Sequence, residues 1–270
     1  MAAAFPAPAW LVGFGNMAGA MVEGWRAGGL ELSGVTVIRP SGTPVDGVRT
    51  VTEYPEDEQP RFVMLGFKPQ KLDEVVPGLA PHVGPEATLV SMLAGIGVES
   101  LRERFPTAGS IVRIMPNLPV AQAQGVVAIF AEDRESGQLD GVHRLMASLG
   151  MIACCDSEAE LGVIGAVAAA GVAYVARFSE TMGKAAESLG LEPGLASQLA
   201  VQTLVGTAAY AADSGASMNE ITRRVASPKG TTEQGLAVLD APDGLLPLVE
   251  RTLAAAIRRG EELAAAARRD

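Results

Sequence analysis

The sequence predicts an α/β fold in two parts: a doubly wound parallel sheet, then an all-helical domain. Three observations predict it. Short apolar runs alternate with helical stretches through the first half. A glycine-rich turn follows the first of those runs. No convincing strand appears after about residue 156, so the domains are placed at 1–156 and 157–270. A length of 270 residues suits two domains, and 48% hydrophobic residues suffice for a sizeable core.

The elements follow in order. Residues 8–13 (PAWLVG) read as a short buried strand, then comes the turn GFGNM. AGAMVEGWRAGG reads as a helix stopped by Gly28 and Gly29. VTVIR (35–39), RFVMLGF (61–67), ATLVSML (87–93) and SIVRIM (110–115) are further strands. KPQKLDEVVPGL reads as a helix with proline near its first turn. GVVAIF (125–130), a helix over 134–148 and MIACC (151–155) add two strands at the sheet edge. Beyond residue 156, three long segments beginning at Gly171, Pro193 and Leu245 read as helices with small residues on their contact faces.

Composition narrows the function. A net charge of −10 argues against a nucleic-acid partner, which needs a basic footprint. Two histidines and the adjacent Cys154 and Cys155 make a poor zinc set, so no metal site is expected. Nothing indicates a disulfide scaffold, and the first ten residues lack a basic signal-peptide region, so the cytoplasm is the expected compartment. Leu161 to Ala176 is uncharged but shorter than the ~20 residues of a membrane span. A helix buried in a protein interface is the reading, with no membrane partner.

Gly13, Gly15 and Ala18 form G-x-G-x-x-A between a strand and a helix. The first glycine permits the tight turn and the second lets backbone approach a pyrophosphate. The small third residue lets helix and strand pack closely, and the helix N-terminus attracts phosphate. The first domain is therefore expected to be Rossmann-like and to bind a dinucleotide. After the second strand an NAD site would carry Asp or Glu, whereas the sequence reads Ile38-Arg39-Pro40-Ser41. Arg39 suits a 2′-phosphate and Ser41 can hydrogen-bond it, which favours NADPH, with NADH the alternative.

His82 and His143 each read as lying on a surface helix or in the loop after it, with neither catalytic, which disfavours Ser–His–Asp hydrolysis. Reduction of a carbon–nitrogen double bond needs only an oriented nitrogen, a held carboxylate and one relayed proton. Ser227-Pro228-Lys229-Gly230-Thr231-Thr232 lies between two helices and offers hydroxyls at a helix start. The same pattern also fits an ordinary turn capped by threonine.

Five motifs in order resemble the pyrroline-5-carboxylate reductase family over nearly the whole chain. They are GFGNMAGAM (13–21), GFKPQ (66–70), SMLAGI (91–96), VRIMPNLP (112–119) and SPKGTT (227–232). The resemblance implies NADPH-dependent reduction of 1-pyrroline-5-carboxylate to L-proline, in proline biosynthesis. It implies a homodimer through the helical domain, with a ring of dimers as the larger form. By the family pattern Gly13, Phe14, Gly15, Asn16, Met17 and Ala18 line the cofactor, with Gly66, Phe67, Lys68 and Pro69. Met92, Leu93 and Ala94 lie beside it, Arg39, Pro40 and Ser41 reach the adenosine ribose, and Asn117 lies near the nicotinamide. Thr232 is the implied proton donor to the ring nitrogen, while Ser227, Gly230 and Thr231 hold the substrate carboxylate.

The chain also departs from the family pattern. Ala168-Ala169-Ala170-Gly171-Val172-Ala173-Tyr174 stands where the family has Ser-Gly-Ser-Gly-Pro-Ala-Tyr. Lys229 replaces a glycine, and either pairs with the substrate carboxylate or points into solvent. Leu118 replaces a threonine. These changes leave two alternatives: a reductase of a related cyclic imine, such as a six-membered one, or a catalytically weak NADP-binding protein.

Overall fold

A computed structural model describes residues 5–267. Eight strands form one sheet: β1 (Ala9–Val12), β2 (Val35–Ile38), β3 (Arg49–Val51), β4 (Phe62–Leu65), β5 (Thr88–Ser91), β6 (Ser110–Pro116), β7 (Gly125–Ala131) and β8 (Gly150–Cys154). Their order is β3-β2-β1-β4-β5-β6-β7-β8. Every neighbouring pair is parallel except β6 with β7. The chain steps outward from β1 to β2 and β3, then returns to the other side of β1 with β4. That reversal beside β1 is the switch point at which doubly wound sheets bind ligands.

Strands β1, β2, β4 and β5 are buried on both faces, as parallel sheets require. Alternate residues feed two separate cores. Ala9, Leu11, Val35, Val37, Phe62 and Met64 face one core, which helices α1 (Asn16–Ala27) and α4 (Gly137–Ala147) cover with Met21, Trp25, Leu139 and Leu145. Trp10, Val12, Ile38, Val63 and Leu65 face the other, beneath α2 (Leu72–Leu79) and α3 (Val98–Arg104). This period of two is what a strand imposes on its side chains.

Strand β3 is absent from the sequence reading, since its three residues are exposed or half-buried and carry no apolar run. His82 lies just after α2, where it ends a short 3-10 turn and packs its ring 5.2 Å from that of Trp10. Cys155 is buried beyond the end of β8, whereas Cys154 is exposed, so only one of the two thiols is a core group.

Two compact units divide the chain. The first takes residues up to Ala170 and those from Ala256 onward; the second spans Gly171–Ala255. Strands end near residue 156, yet the first unit runs further. Helix α5 (Glu158–Ile164) packs Leu161 against Ala128 and Cys155, and Ile164 joins them. A π turn, Gly165–Ala169, follows.

The second unit is helical throughout: α6 (Gly171–Ser188), α7 (Pro193–Ser214), α8 (Met218–Val225), α9 (Thr231–Leu239) and the first part of α10 (Leu245–Ala267). Helices α6 and α7 meet through Ser179, Gly183, Ala196 and Ala200, the buried residues of each. A Cβ at Gly183 would lie in ordinary contact, 3.5 Å from the Ser197 Cα, so the gap between the two helices is about one methyl group wide. Helix α7 leaves Leu195, Leu199, Val201 and Val205 exposed. The helical run 158–188 is long and apolar enough to cross a membrane. It also carries Glu180, which pairs with both Arg177 and Lys184 on its surface.

Candidate active site

The C-terminal ends of β1, β2, β4, β5 and β6 lie on one edge of the sheet and carry Gly13–Ala18, Arg39–Ser41, Gly66–Pro69, Met92–Ala94 and Asn117. Gly13 has φ +83°, and a Cβ there would sit 2.9 Å from the Gly66 carbonyl carbon and from the Phe67 Cβ. Both the turn and the neighbouring strand end therefore demand glycine. Gly66 in turn lies against the Ala18 methyl and the Met92 thioether. The small third residue of the motif thus packs on the β4 end.

Gly15 differs: the nearest atom to a Cβ there is 3.9 Å away, so protein packing does not require glycine. Gly15 is the N-cap of α1 and offers no side chain to its first N–H groups. Those donors and the positive end of the helix dipole are left for an outside acceptor, and the absent Cβ leaves room for one.

The Arg39 guanidinium lies 5.8 Å from the Phe14 ring centroid, within cation–π range. No carboxylate pairs with it among the described residues. Ser41 accepts from the Thr43 hydroxyl at 3.0 Å, so two hydroxyls stand together after β2. Thr43 was not legible as a site residue, because no motif spacing marks it. Pro40, Lys68 and Ala94 are exposed, while Asn16 and Met17 open α1. Leu93 is a core residue at 1% exposure, so only its backbone faces the edge.

Two connections fasten this edge. Glu158 Oε1 accepts from Arg113 Nη1 at 2.6 Å and from the Val98 backbone N–H at 2.9 Å. Arg113 stands in register with Ser91, the last residue of β5. Ser91 Oγ accepts the Leu93 N–H at 3.2 Å. The segment 92–97 is thereby held at both ends. Asn117 donates from Nδ2 to the Ala168 carbonyl at 3.1 Å and accepts the Val126 N–H on Oδ1 at 2.8 Å. Its side chain serves the protein's own backbone.

In the second unit, Ser227–Gly230 form a turn closed by the Gly230 N–H on the Ser227 carbonyl at 2.9 Å. Gly230 is the N-cap of α9 and supplies no side-chain cap. A Cβ there would collide with Ser227 Oγ and its carbonyl oxygen. Lys229 adopts φ +62°, the left-handed region, where a side chain costs about 1–2 kcal/mol. Its N–H donates to Glu233 Oε2 at 2.7 Å. Glu233 is the third residue of the helix, the position from which a carboxylate reaches back to the chain before it. Thr231 and Thr232 are the first two residues of α9, the former exposed and the latter half-buried.

Comparison with known proteins follows this geometry. A family profile for pyrroline-5-carboxylate reductase dimerisation matches residues 158–263. The pyrroline-5-carboxylate reductase of Pseudomonas aeruginosa is 34% identical over 263 residues, covering 94% of this chain and 95% of that protein. A solved pyrroline-5-carboxylate reductase of Coxiella burnetii superposes with a TM-score of 0.85 at 28% identity, covering 95% of this chain and 98% of its own. The Plasmodium falciparum pyrroline carboxylate reductase, solved with NADP bound, shares the fold with a TM-score of 0.83 at 21% identity, covering 96% of this chain and 98% of its own.

Proposed function

Because this chain belongs to the pyrroline-5-carboxylate reductase family, we propose that it reduces 1-pyrroline-5-carboxylate to L-proline with NADPH. The observation that carries the cofactor side is the β1–α1 turn: Gly13 forced by its neighbours, Gly15 left open, and an uncapped helix start behind it. Those residues fit a dinucleotide pyrophosphate. Arg39, with no carboxylate partner among the described residues, and the Ser41 and Thr43 hydroxyls fit a 2′-phosphate.

When bound, NADPH supplies the hydride that ends on the imine carbon. The chain's own residues do the rest. Gly66–Pro69 and Met92–Ala94 line the cofactor. The 227–232 loop receives the substrate carboxylate through Ser227, Gly230 and Thr231, at a helix start that attracts anions. The Thr232 hydroxyl orients the ring nitrogen and donates the proton it gains. Lys229 either pairs with that carboxylate or points into solvent, the two readings its substitution separates.

A second copy of the chain pairs through the helical region that the dimerisation profile covers. We read the apolar run 158–188 as part of that interface, and place the enzyme in the cytoplasm, where its two free thiols stay reduced.

One observation favours a second substrate. Residues 168–172 (Ala-Ala-Ala-Gly-Val) lack the family's hydroxyls, which opens room for a larger ring. The test is the ratio of kcat/KM for five- and six-membered cyclic imino acids with NADPH. A preference for the five-membered ring supports the main reading; a strong six-membered preference replaces it.

A further inference from the structure

The family pattern would set Asn117 beside the nicotinamide, but the structure gives its carboxamide other work. We propose that Asn117 is a positioning residue: it holds the Ala168 carbonyl, and so the π turn from which α6 starts, instead of binding the cofactor. This inference rests on the imine-reductase reading above.

Asn117 is itself fixed. Its N–H donates to the Val126 carbonyl at 3.2 Å, and its Oδ1 accepts the Val126 N–H at 2.8 Å. Both bonds extend the β6–β7 ladder beyond the Pro116–Val127 pair. At 7% exposure the side chain has little reach to anything outside. Its remaining contact is Nδ2 on the Ala168 carbonyl at 3.1 Å.

In a regular α-helix that carbonyl would accept the N–H four residues on, from Val172. Here the turn Gly165–Ala169 is widened, with the Ala170 N–H reaching back five residues to the Gly165 carbonyl at 3.0 Å. A side chain inserted at a helix carbonyl is one of the few causes of such a break. A second contact fixes the same turn: Met115, two residues before Asn117, fills the space that a side chain at Gly165 would need. The end of β6 therefore grips the π turn at two points, 115 with 165 and 117 with 168.

Residues 168–171 carry only methyl groups or hydrogen. They have no hydroxyl with which to orient a substrate, so the placement of their backbone is what the chain can set. Asn117 sets it.

The test uses the full-length protein. Asn117→Asp keeps the acceptor for Val126 and replaces the donor to Ala168 with a repelling oxygen. The expected result is a rise of about tenfold in imine KM, with the NADPH Kd from fluorescence titration within about twofold of wild type. A tenfold weaker NADPH Kd with unchanged imine KM overturns the proposal, because it marks a cofactor contact. Unchanged values of both also overturn it. The NADPH titration needs no turnover, so it decides this point even if the wild-type enzyme fails to reduce the imine, which sinks the reaction assigned above and not this role. Val172→Pro gives a second reading should Asn117→Asp fail to fold. Proline removes the N–H that a regular helix would aim at Ala168, whose carbonyl already has its partner. The variant is expected to stay folded with Tm within about 3 °C of wild type; loss of the folded protein contradicts the proposal.

Discussion

Thr232 and Lys229 lie three residues apart and pose different questions. Thr232, at the second position of α9, is assigned the proton given to the ring nitrogen. Thr232→Ala is expected to lower kcat about 100-fold while NADPH affinity, read by titration, stays at its wild-type value. Lys229 was visible in the sequence as a substitution for glycine; its left-handed backbone was not, because φ is set by the turn that Ser227 and Gly230 close. Lys229→Gly removes that strain and is expected to gain about 1 kcal/mol or less, read as a higher Tm. The same variant's imine KM separates the two readings of the ammonium. A rise of about tenfold places it on the substrate carboxylate, since charge-assisted contacts are worth ~1.5–3 kcal/mol; no change leaves it in solvent. Gly13 and Ala18 were legible because a motif fixes their spacing, whereas the hydrogen bond from Asn117 to Ala168 joins residues 51 positions apart and leaves no local trace.

At the scale of elements, the strand ends are held by links that periodicity does not reveal. Glu158, the first residue of α5, joins β6 to the start of α3 through Arg113 and the Val98 N–H. Glu158→Gln keeps the acceptor for Val98 and loses the ion pair, whereas Glu158→Ala loses both. Activity is therefore expected to fall in the order wild type, Gln, Ala, measured as kcat/KM for NADPH at saturating imine. Glu58 ties β3 to β1. The Trp10 indole N–H, 3.0 Å from Oε2, and the adjacent Arg49 hold the Glu58 carboxyl below the usual carboxylate range despite partial burial. With the folded value depressed, this stabilisation is complete above the ordinary carboxylate pKa and is lost as pH falls through the folded value. The Tm difference between wild type and Glu58→Gln should therefore narrow as the solution is acidified below that range. A difference that stays constant with pH removes Glu58 from the linkage. The apolar strands were readable because both faces are buried; β3 was not, because its three residues gain their place from pairing with Thr36, Val37 and Ile38.

The whole molecule shows what sequence periodicity leaves open. It distinguishes helix from strand but not the layer a helix joins, so it does not reveal that Leu161 of α5 packs against the sheet. Small residues on α6 and α7 announced close helix contact, and Gly183 against Ala196 realises it. The apolar residues left over on α7, including Leu199 and Val205, are more than a lone helical unit exposes without a partner. Sedimentation should find the chain at least dimeric, and Leu199→Glu with Val205→Glu should shift it toward monomer; an unchanged assembly would move the interface to another face. The decisive measurement is the loss of NADPH absorbance by purified protein on adding 1-pyrroline-5-carboxylate, with proline counted as product. One proline formed for each NADPH consumed is the expected result. NADPH that binds and is not oxidised when the imine is added would contradict the assigned reaction.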